Sequence, residues 1–228
     1  MTHALAITPT VELYIRRANE AYYLRDLASA LADAESARAL DPSSVDAVEQ
    51  VSRLKAERGD VAGAIALLDD RIARGGEMHN IYRNIKAGIL GDYGDPSEAL
   101  ALFDSLIAEK PGSPFLLNAR CWTKATRQVM LDTALKDCTQ AIELSSNTTA
   151  SLDSRAMVWY RLGRYTEALT DLDAVLGQSP AQAESRFMRS VVLKRLHRDA
   201  EAATELALAR RMAPTVDLQY ARYGITPS

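Results

Sequence analysis

The residues best suited to covalent chemistry are the two cysteines, Cys121 and Cys138, which lie 17 residues apart. That spacing puts one on each helix of a predicted helical pair, where the two thiols can approach each other and form a disulfide in an oxidising compartment. The alternative, which we favour, is that both are small, buried, unpaired residues, as free cysteines commonly are. A metal site is disfavoured because no second pair of Cys or His has ligand spacing.

The histidines and glycines complete no catalytic motif. His3 is near the N-terminus, His79 is at a joint and His197 is in a turn, and no Ser, Cys or carboxylate pattern accompanies them. Gly75-Gly76 marks a helix end and lacks the Lys-Ser/Thr that a phosphate-binding loop needs. We therefore expect no catalytic residue, no cofactor and no metal ligand, and a protein that is not an enzyme.

The sequence contains an internal repeat with a period near 34 residues. This repeat predicts the helices that carry the candidate binding residues. The run Gly163-Arg164-Tyr165-Thr166-Glu167-Ala168-Leu169 is followed 34 residues on by a counterpart that begins at His197, and each is closed by a proline. Earlier copies begin at Gly59 and Gly94. A period of this length, with a turn inside each copy, is typical of arrays of helix–turn–helix units.

The repeat predicts six units of two helices, each helix about 14 residues long. The predicted organisation is a lead-in over 1–10, an array over 11–216 with units 11–44, 45–78, 80–113, 115–148, 149–182 and 183–216, and a C-terminal cap and tail over 217–228. We expect a capping helix to begin in Asp217–Tyr223 and to cover the last apolar face. An alanine recurs at one phase of every second helix, where only a small side chain lets the paired helices approach: Ala30, Ala64, Ala99, Ala134, Ala168 and Ala202.

These residues resemble the tetratricopeptide repeat (TPR) family from Val11 to Val216. The fifth unit matches it most specifically, through Trp159, Gly163, Tyr165, Ala168 and Pro180. Elsewhere Arg25 and Val129 replace the turn glycine, and Trp122 stands where the family prefers Gly or Ala. The resemblance implies an all-α fold of the α-α superhelix type, a right-handed TPR solenoid of about six repeats plus a C-terminal capping helix. In that fold the first helices line a concave face that holds peptides or protein segments.

A finer resemblance concerns the second half of the chain. Four stretches are similar to the C-terminal TPR arrays of alphaproteobacterial transglutaminase-like domain proteins. They are Asn118-Ala119-Arg120-Cys121-Trp122, Asp137-Cys138, Leu152-Asp153-Ser154-Arg155 and Tyr220–Ile225. In those proteins the array follows an exported enzymatic domain, and nothing in this chain matches the enzymatic part.

Helical spacing assigns a row of candidate peptide-binding residues to the concave face. The row consists of Asn19, Tyr22, Tyr23, Arg53, Asn84, Arg127, Asp153, Met157, Tyr160, Arg161, Phe187, Lys194 and Arg195. Tyr, Arg and Asn anchor peptides because they combine apolar area with oriented hydrogen bonds. The patch of Tyr160, Arg161, Lys194 and Arg195 is suited to an acidic segment or a C-terminal carboxylate. For each residue, the alternative stays open that it is an ordinary exposed side chain of a helix with no role in binding.

Charge and hydropathy limit the partners and the compartment. The net charge of −3 and the isoelectric point near 5.7 give no global attraction to nucleic acid or to an anionic membrane. No apolar run reaches the roughly 18 residues needed to span a bilayer, and Met1–Pro9 lacks the features of a signal peptide. As written, the chain is expected to be cytoplasmic; a periplasmic location follows if it is a segment of a longer exported protein.

The leading functional hypothesis is therefore a non-enzymatic scaffold that binds a protein or peptide in the concave groove, without nucleic acid, membrane insertion or cofactor. A second hypothesis is a C-terminal accessory or recruitment region of a larger exported transglutaminase-like protein. A third is self-association through an uncapped end.

Overall fold

The computed structural model describes residues 9–227, so residues 1–8 of the predicted lead-in, with His3, and Ser228 lie outside the described part. Within that part the chain is all-α and contains no β-strand. The helices are α1 Val11–Tyr23, α2 Leu27–Leu40, α3 Val45–Glu57, α4 Val61–Ala73, α5 His79–Tyr93, α6 Pro96–Glu109, α7 Pro114–Arg127, α8 Leu131–Leu144, α9 Thr149–Arg161, α10 Tyr165–Gln178, α11 Ala183–Arg195, α12 Asp199–Met212 and α13 Val216–Ala221. The predicted fold class is confirmed.

In four of the hairpins in the described residues, the turn between the paired helices contains one residue with a left-handed backbone. Four hairpins have it at the same repeat position, with φ of 63°, 90°, 74° and 59° at Arg25, Gly59, Gly163 and His197. The following residue closes the turn on the preceding helix; for example, the Arg164 N–H donates to the Trp159 carbonyl at 2.8 Å. Arg25 therefore occupies the glycine position, as the sequence predicted, although a side chain is less favourable at this φ.

The fourth hairpin differs. The sequence put its turn at Val129, whereas the left-handed residues are Gln128 and Met130 on either side, with φ of 56° and 50°. Gln128 caps α7 and Met130 precedes α8. Without a glycine, this turn reverses the chain through two flanking left-handed residues.

The two cysteines of this hairpin are bonded to each other. Cys121 of α7 and Cys138 of α8 form a disulfide with a Cα–Cα distance of 5.6 Å, and both are fully buried. The favoured expectation of unpaired thiols was wrong, and the alternative that spacing allowed is the one found. Burial of both residues was anticipated correctly, because the two positions face each other across the helical pair.

The close approach of paired helices takes place at the alanines that the sequence singled out. All six are buried, five with no exposure and Ala202 with 6%. A larger side chain at these points would require the two helices to separate, because protein interiors are close-packed. The repeated alanine is therefore a direct packing requirement of the hairpins.

An ion pair that the sequence reading missed recurs across the hairpins. An arginine of the first helix binds an aspartate of the second in Arg17–Asp33, Arg120–Asp137 and Arg155–Asp171. In the last pair, Nε and Nη2 of Arg155 donate to the two carboxylate oxygens at 2.8 and 2.7 Å. This two-point geometry is a strong, directional form of ion pair. The regular spacing of 16 or 17 residues between Arg and Asp was the available signal.

The chain divides into two compact units, with the boundary between Leu102 and Phe103 inside α6. In the first unit, the buried residues form two clusters, one around Ala18 and Val51 and one around Val48 and Tyr82. In the second unit, a single large cluster runs from Cys121 to Ile225. The predicted capping helix is α13, which packs on α11 and α12.

Candidate peptide-binding faces

In the first unit, the predicted face presents an exposed aromatic pair. Tyr23 is 57% exposed and Tyr22 is half-buried, and their ring centroids lie 6.1 Å apart in an edge arrangement. The exposed Asn19 accepts a hydrogen bond of 2.7 Å from Gln50 of α3. The structure thus joins Asn19 to the next first helix through a residue that the sequence prediction did not include.

The two other candidates of the first unit behave differently from each other. Arg53 is exposed and pairs with Glu49 one turn away at 2.8 Å, a contact within α3. Asn84 is half-buried on α5, and its Oδ1 atom is enclosed without a hydrogen-bond donor in the described residues.

In the second unit, two predicted groove residues belong to the core. Met157 of α9 and Phe187 of α11 have no exposed surface. Their assignment as side chains open to a partner needs correction: both are covered in this structure. Phe187 is covered by the C-terminal part of the same chain.

That C-terminal part lies against the first helices of the second unit. The Tyr220 ring stacks on the Phe187 ring with a centroid distance of 4.8 Å, and its hydroxyl donates to the Glu184 carbonyl at 3.4 Å. Further on, Pro227 borders a pocket with Ser190 and Lys194 of α11. The segment therefore follows α11 from its first turn toward its last.

A second tyrosine extends from this segment to two other first helices. The Tyr223 ring meets the Trp122 ring of α7 edge-on at 5.7 Å, and the Tyr223 carbonyl accepts a hydrogen bond from Nη2 of Arg161 in α9. Ile225 is 1% exposed and belongs to the same buried cluster. We call Val216–Pro227 the tail segment. We call its contact surface, formed by Trp122, Arg161, Glu184 and Phe187, the receiving face.

A carboxyl group with an altered proton affinity lies next to Glu184 of the receiving face, through its hydrogen bond to Ser185. Asp153 of α9 accepts a hydrogen bond of 2.6 Å from the Ser185 hydroxyl. The pKa of Asp153 is raised to about 6, mainly by burial; the Ser185 hydrogen bond opposes this rise, and the nearby charge of Glu184 adds to it. The pKa of Tyr220 is raised first by its own burial and then by the charge of Asp153, which places the two side chains near each other.

The cations of the predicted patch in the second unit each meet a different neighbour, and the neighbour of Lys194 is a carboxylate. Lys194 pairs with Asp199 at 2.8 Å, and the Tyr160 hydroxyl raises the pKa of Arg195 by hydrogen bonding to it. The pKa of Arg161 is lowered by burial under the tail segment. These residues therefore do not form one open patch. The remaining candidate, Arg127, is half-buried at the end of α7.

Sequence reasoning missed four residues of this site: Trp122, Tyr220, Tyr223 and Ile225. Two signals pointed to them. Trp122 is a large aromatic residue where the repeat favours a small one, and the tail has aromatic and aliphatic residues at a spacing of three and then two.

Among the described residues, no group of His, Cys, Asp or Glu is arranged to hold a metal ion. No helix of that part combines the length and apolarity needed to cross a membrane.

Comparison with known proteins agrees with the repeat geometry. The profile of the tetratricopeptide repeat matches residues 15–77, 52–114 and 155–217, which together are more than half of the chain. The chain belongs to the tetratricopeptide repeat family, whose fold is that of protein-interaction scaffolds. No curated protein matches it, so the finer similarity to transglutaminase-like proteins stays an expectation.

Solved structures share the fold at low sequence identity. A tetratricopeptide repeat protein from Parabacteroides merdae is 16% identical, with a TM-score of 0.58 over 93% of this chain and 89% of that one. The Cut9–Hcn1 hetero-tetramer of the APC/C gives 16% identity and a TM-score of 0.62, over 98% of this chain and 44% of that one. MamA from Desulfovibrio magneticus, from residue 41 to its end, gives 12% identity and a TM-score of 0.55, over 75% and 95%.

Proposed function

We propose that this protein is a non-enzymatic scaffold that binds a peptide or protein segment on the faces of its first helices. One observation carries the proposal: the receiving face of the second unit already holds a peptide segment, the tail of the same chain. A surface that buries two tyrosines and an isoleucine of a short segment has the aromatic and polar groups that peptide recognition requires.

The first unit supports the same function through a different surface. Tyr23 and Leu24 are 57% and 81% exposed, an unusual exposure for neighbouring large apolar residues at a helix end. Tyrosine contributes contact area and a hydrogen bond at low entropic cost when it meets a partner. We include Asn19, Tyr22 and Tyr23 in the proposed binding surface.

The test begins with capture of partners from a lysate of the source organism on the immobilised full-length chain. A retained protein is identified and then titrated calorimetrically against the wild type and the double variant Tyr160→Ala, Arg195→Glu. We expect the double variant to bind on the order of tenfold more weakly, because it removes an aromatic contact and reverses a charge beside the receiving face. Arg211→Glu, at an exposed position of the second helix α12, is the control for charge reversal and should bind as the wild type does.

Equal affinity of the double variant and the wild type, with unchanged helicity, would exclude this part of the surface. Failure of the chain to retain any protein beyond those held by an unrelated helical protein would contradict the scaffold function itself.

A second candidate is an accessory or recruitment region of a larger exported protein. The observation that favours it is the disulfide between Cys121 and Cys138, because such bonds persist in oxidising compartments. Alkylation of thiols in intact cells, followed by mass spectrometry, tests it. Cysteines protected from alkylation until reduction support an oxidising compartment, whereas fully alkylated cysteines contradict it.

A further inference from the structure

Three closely spaced, buried side chains attach the C-terminal part of the tail segment to the rest of the chain. Tyr220, Tyr223 and Ile225 are 1%, 7% and 1% exposed, whereas Ala221 and Arg222 between them face solvent. Recognition of peptides commonly takes this form, with a few anchors in pockets and variable residues between them. Together with Val216, which has no exposed surface, these three anchors are the buried hydrophobic residues of the tail segment.

The shape of the bound segment is a closed helical turn. The Ile225 N–H donates to the Tyr220 carbonyl at 3.2 Å, and the Tyr223 N–H donates to the same carbonyl at 3.0 Å. Gly224 has a φ of 67°, a conformation that favours glycine over any residue with a side chain. The receiving face therefore accommodates a turn that ends in Gly, with anchors at the first, fourth and sixth residues.

The receiving face offers a hydrogen-bond donor that the covering segment uses. Arg161 is half-buried, its Nη2 donates to the Tyr223 carbonyl, and its Nε has no acceptor in the described residues. Trp122 and Phe187 provide two aromatic surfaces, one edge-on and one stacked, for the two tyrosines. The chemistry that this face recognises is thus two aromatic anchors followed by an acceptor carbonyl on the second of them.

We propose that the receiving face is a binding site for a partner segment of the form Tyr-x-x-Tyr-Gly-Ile, and that the tail segment is a built-in competitor that this partner displaces. The proposal rests on the scaffold function proposed above and specifies its ligand. The tail segment is joined to α12 through only Ala213-Pro214-Thr215, so it stays close to the face after release.

Tethering sets the size of the expected effect. A segment on a short linker acts at an effective concentration of the order of millimolar. A free peptide with the same contacts, present at micromolar concentration, therefore competes poorly until the tail is weakened. Loss of one tail anchor should raise the apparent affinity for the free peptide by at least about tenfold, because removal of a buried aromatic anchor commonly has an effect of that size.

The probe is a fluorescein-labelled peptide with the sequence of residues 216–227, titrated by anisotropy into the full-length chain. We expect Tyr223→Ala to bind it at least about tenfold more tightly than the wild type does. Leu218→Ala is the matched control, because Leu218 lies in the same segment but is 54% exposed, and it should bind as the wild type does. A peptide with both tyrosines replaced by alanine should bind neither protein.

A second measurement avoids dependence on the stability of the variant. In the wild type, an excess of unlabelled peptide should accelerate amide hydrogen exchange at Tyr223 and Ile225 by about tenfold, while exchange in α9 stays unchanged, because only the tail is displaced. Unchanged exchange, or a folded Tyr223→Ala variant that binds no more tightly than the wild type, would overturn the proposal. A third outcome also overturns the proposal: the protein dimerises as its concentration rises, while the free peptide does not bind. The receiving face would then bind the tail of a second copy of the chain.

These outcomes are separable from the test of the scaffold function. If captured partners depend on Tyr160 and Arg195 but the tail peptide never binds, the function stands and the proposed ligand is wrong. If neither the peptide nor any partner binds, both are wrong.

Discussion

The buried carboxyl of Asp153 makes the stability of the second unit depend on pH, and Asp153→Asn should remove that dependence. The pKa of Asp153 is raised from 3.8 to about 6 in the folded chain. The folded state therefore holds this proton more tightly than the unfolded state does. Its contribution to stability is complete below pH 4 and is lost as the pH rises through about 6.

The magnitude follows from the shift. Each pKa unit corresponds to about 1.4 kcal/mol, so a shift from 3.8 to about 6 lowers the free energy of unfolding at pH 7 by up to about 3 kcal/mol relative to pH 4. Asparagine keeps the shape and can still accept the Ser185 hydrogen bond, but it carries no charge to bury. The variant should therefore be more stable than the wild type at pH 7 and similar to it near pH 4.

The assay is urea unfolding followed by tryptophan fluorescence at pH 4, 5, 6, 7 and 8. The two tryptophans of the chain, Trp122 and Trp159, both lie in the second unit, so the signal reports the unit that contains Asp153. Asp132→Asn, at an exposed position in the first turn of α8, is the control for the chemical change. Parallel pH profiles for the wild type and Asp153→Asn would refute the reasoning, because all other carboxyls are shared.

Three further stability changes should be visible in the same fluorescence assay. Reduction of the disulfide between Cys121 and Cys138 should cost about 3 kcal/mol for a loop of this length; equal midpoints with and without reductant would show that the bond does not constrain the unfolded chain. Ala168→Leu should destabilise by about 1–3 kcal/mol through overpacking, and a variant as stable as the parent would mean that the helices do not meet there. Asp171→Ala should cost about 3–5 kcal/mol because it leaves the charge of Arg155 half-buried and unpaired, whereas replacing both residues with apolar ones should cost much less; equal losses would contradict the ion-pair argument.

The fold was predictable because its determinants are local and repeated. The alanines of the second helices and the turn residues recur with one period, so each copy strengthens the interpretation of the others. Arg25 was recognised as a turn residue because it stands where Gly59 and Gly163 stand. In the fourth hairpin no glycine marks the turn. The sequence put the turn residue at Val129, whereas the left-handed residues are its two neighbours, Gln128 and Met130.

The candidate site was less predictable because its contacts are neither local nor repeated. Arg161 and Tyr223 are 62 residues apart, and Tyr220 reaches Glu184 across 36 residues. No periodic pattern encodes such pairs. Helical spacing therefore assigned Phe187 to a binding face but could not show that Tyr220 covers it. The disulfide was not the favoured prediction for a related reason: spacing shows that two cysteines can meet, but bond formation also depends on the redox environment.

The covalent bond inside the fourth hairpin also affects how the chain responds to pulling. The 17-residue stretch from Cys121 to Cys138 spans about 60 Å when fully extended. While the bond is intact, that length cannot be drawn out, however large the force on the two ends of the protein. A single molecule that is unfolded by stretching in oxidising buffer should therefore have a shorter contour length than the reduced chain. The difference is about 60 Å minus the 5.6 Å between the two bridged Cα atoms. Addition of a reductant during the pull should release the missing length in one step.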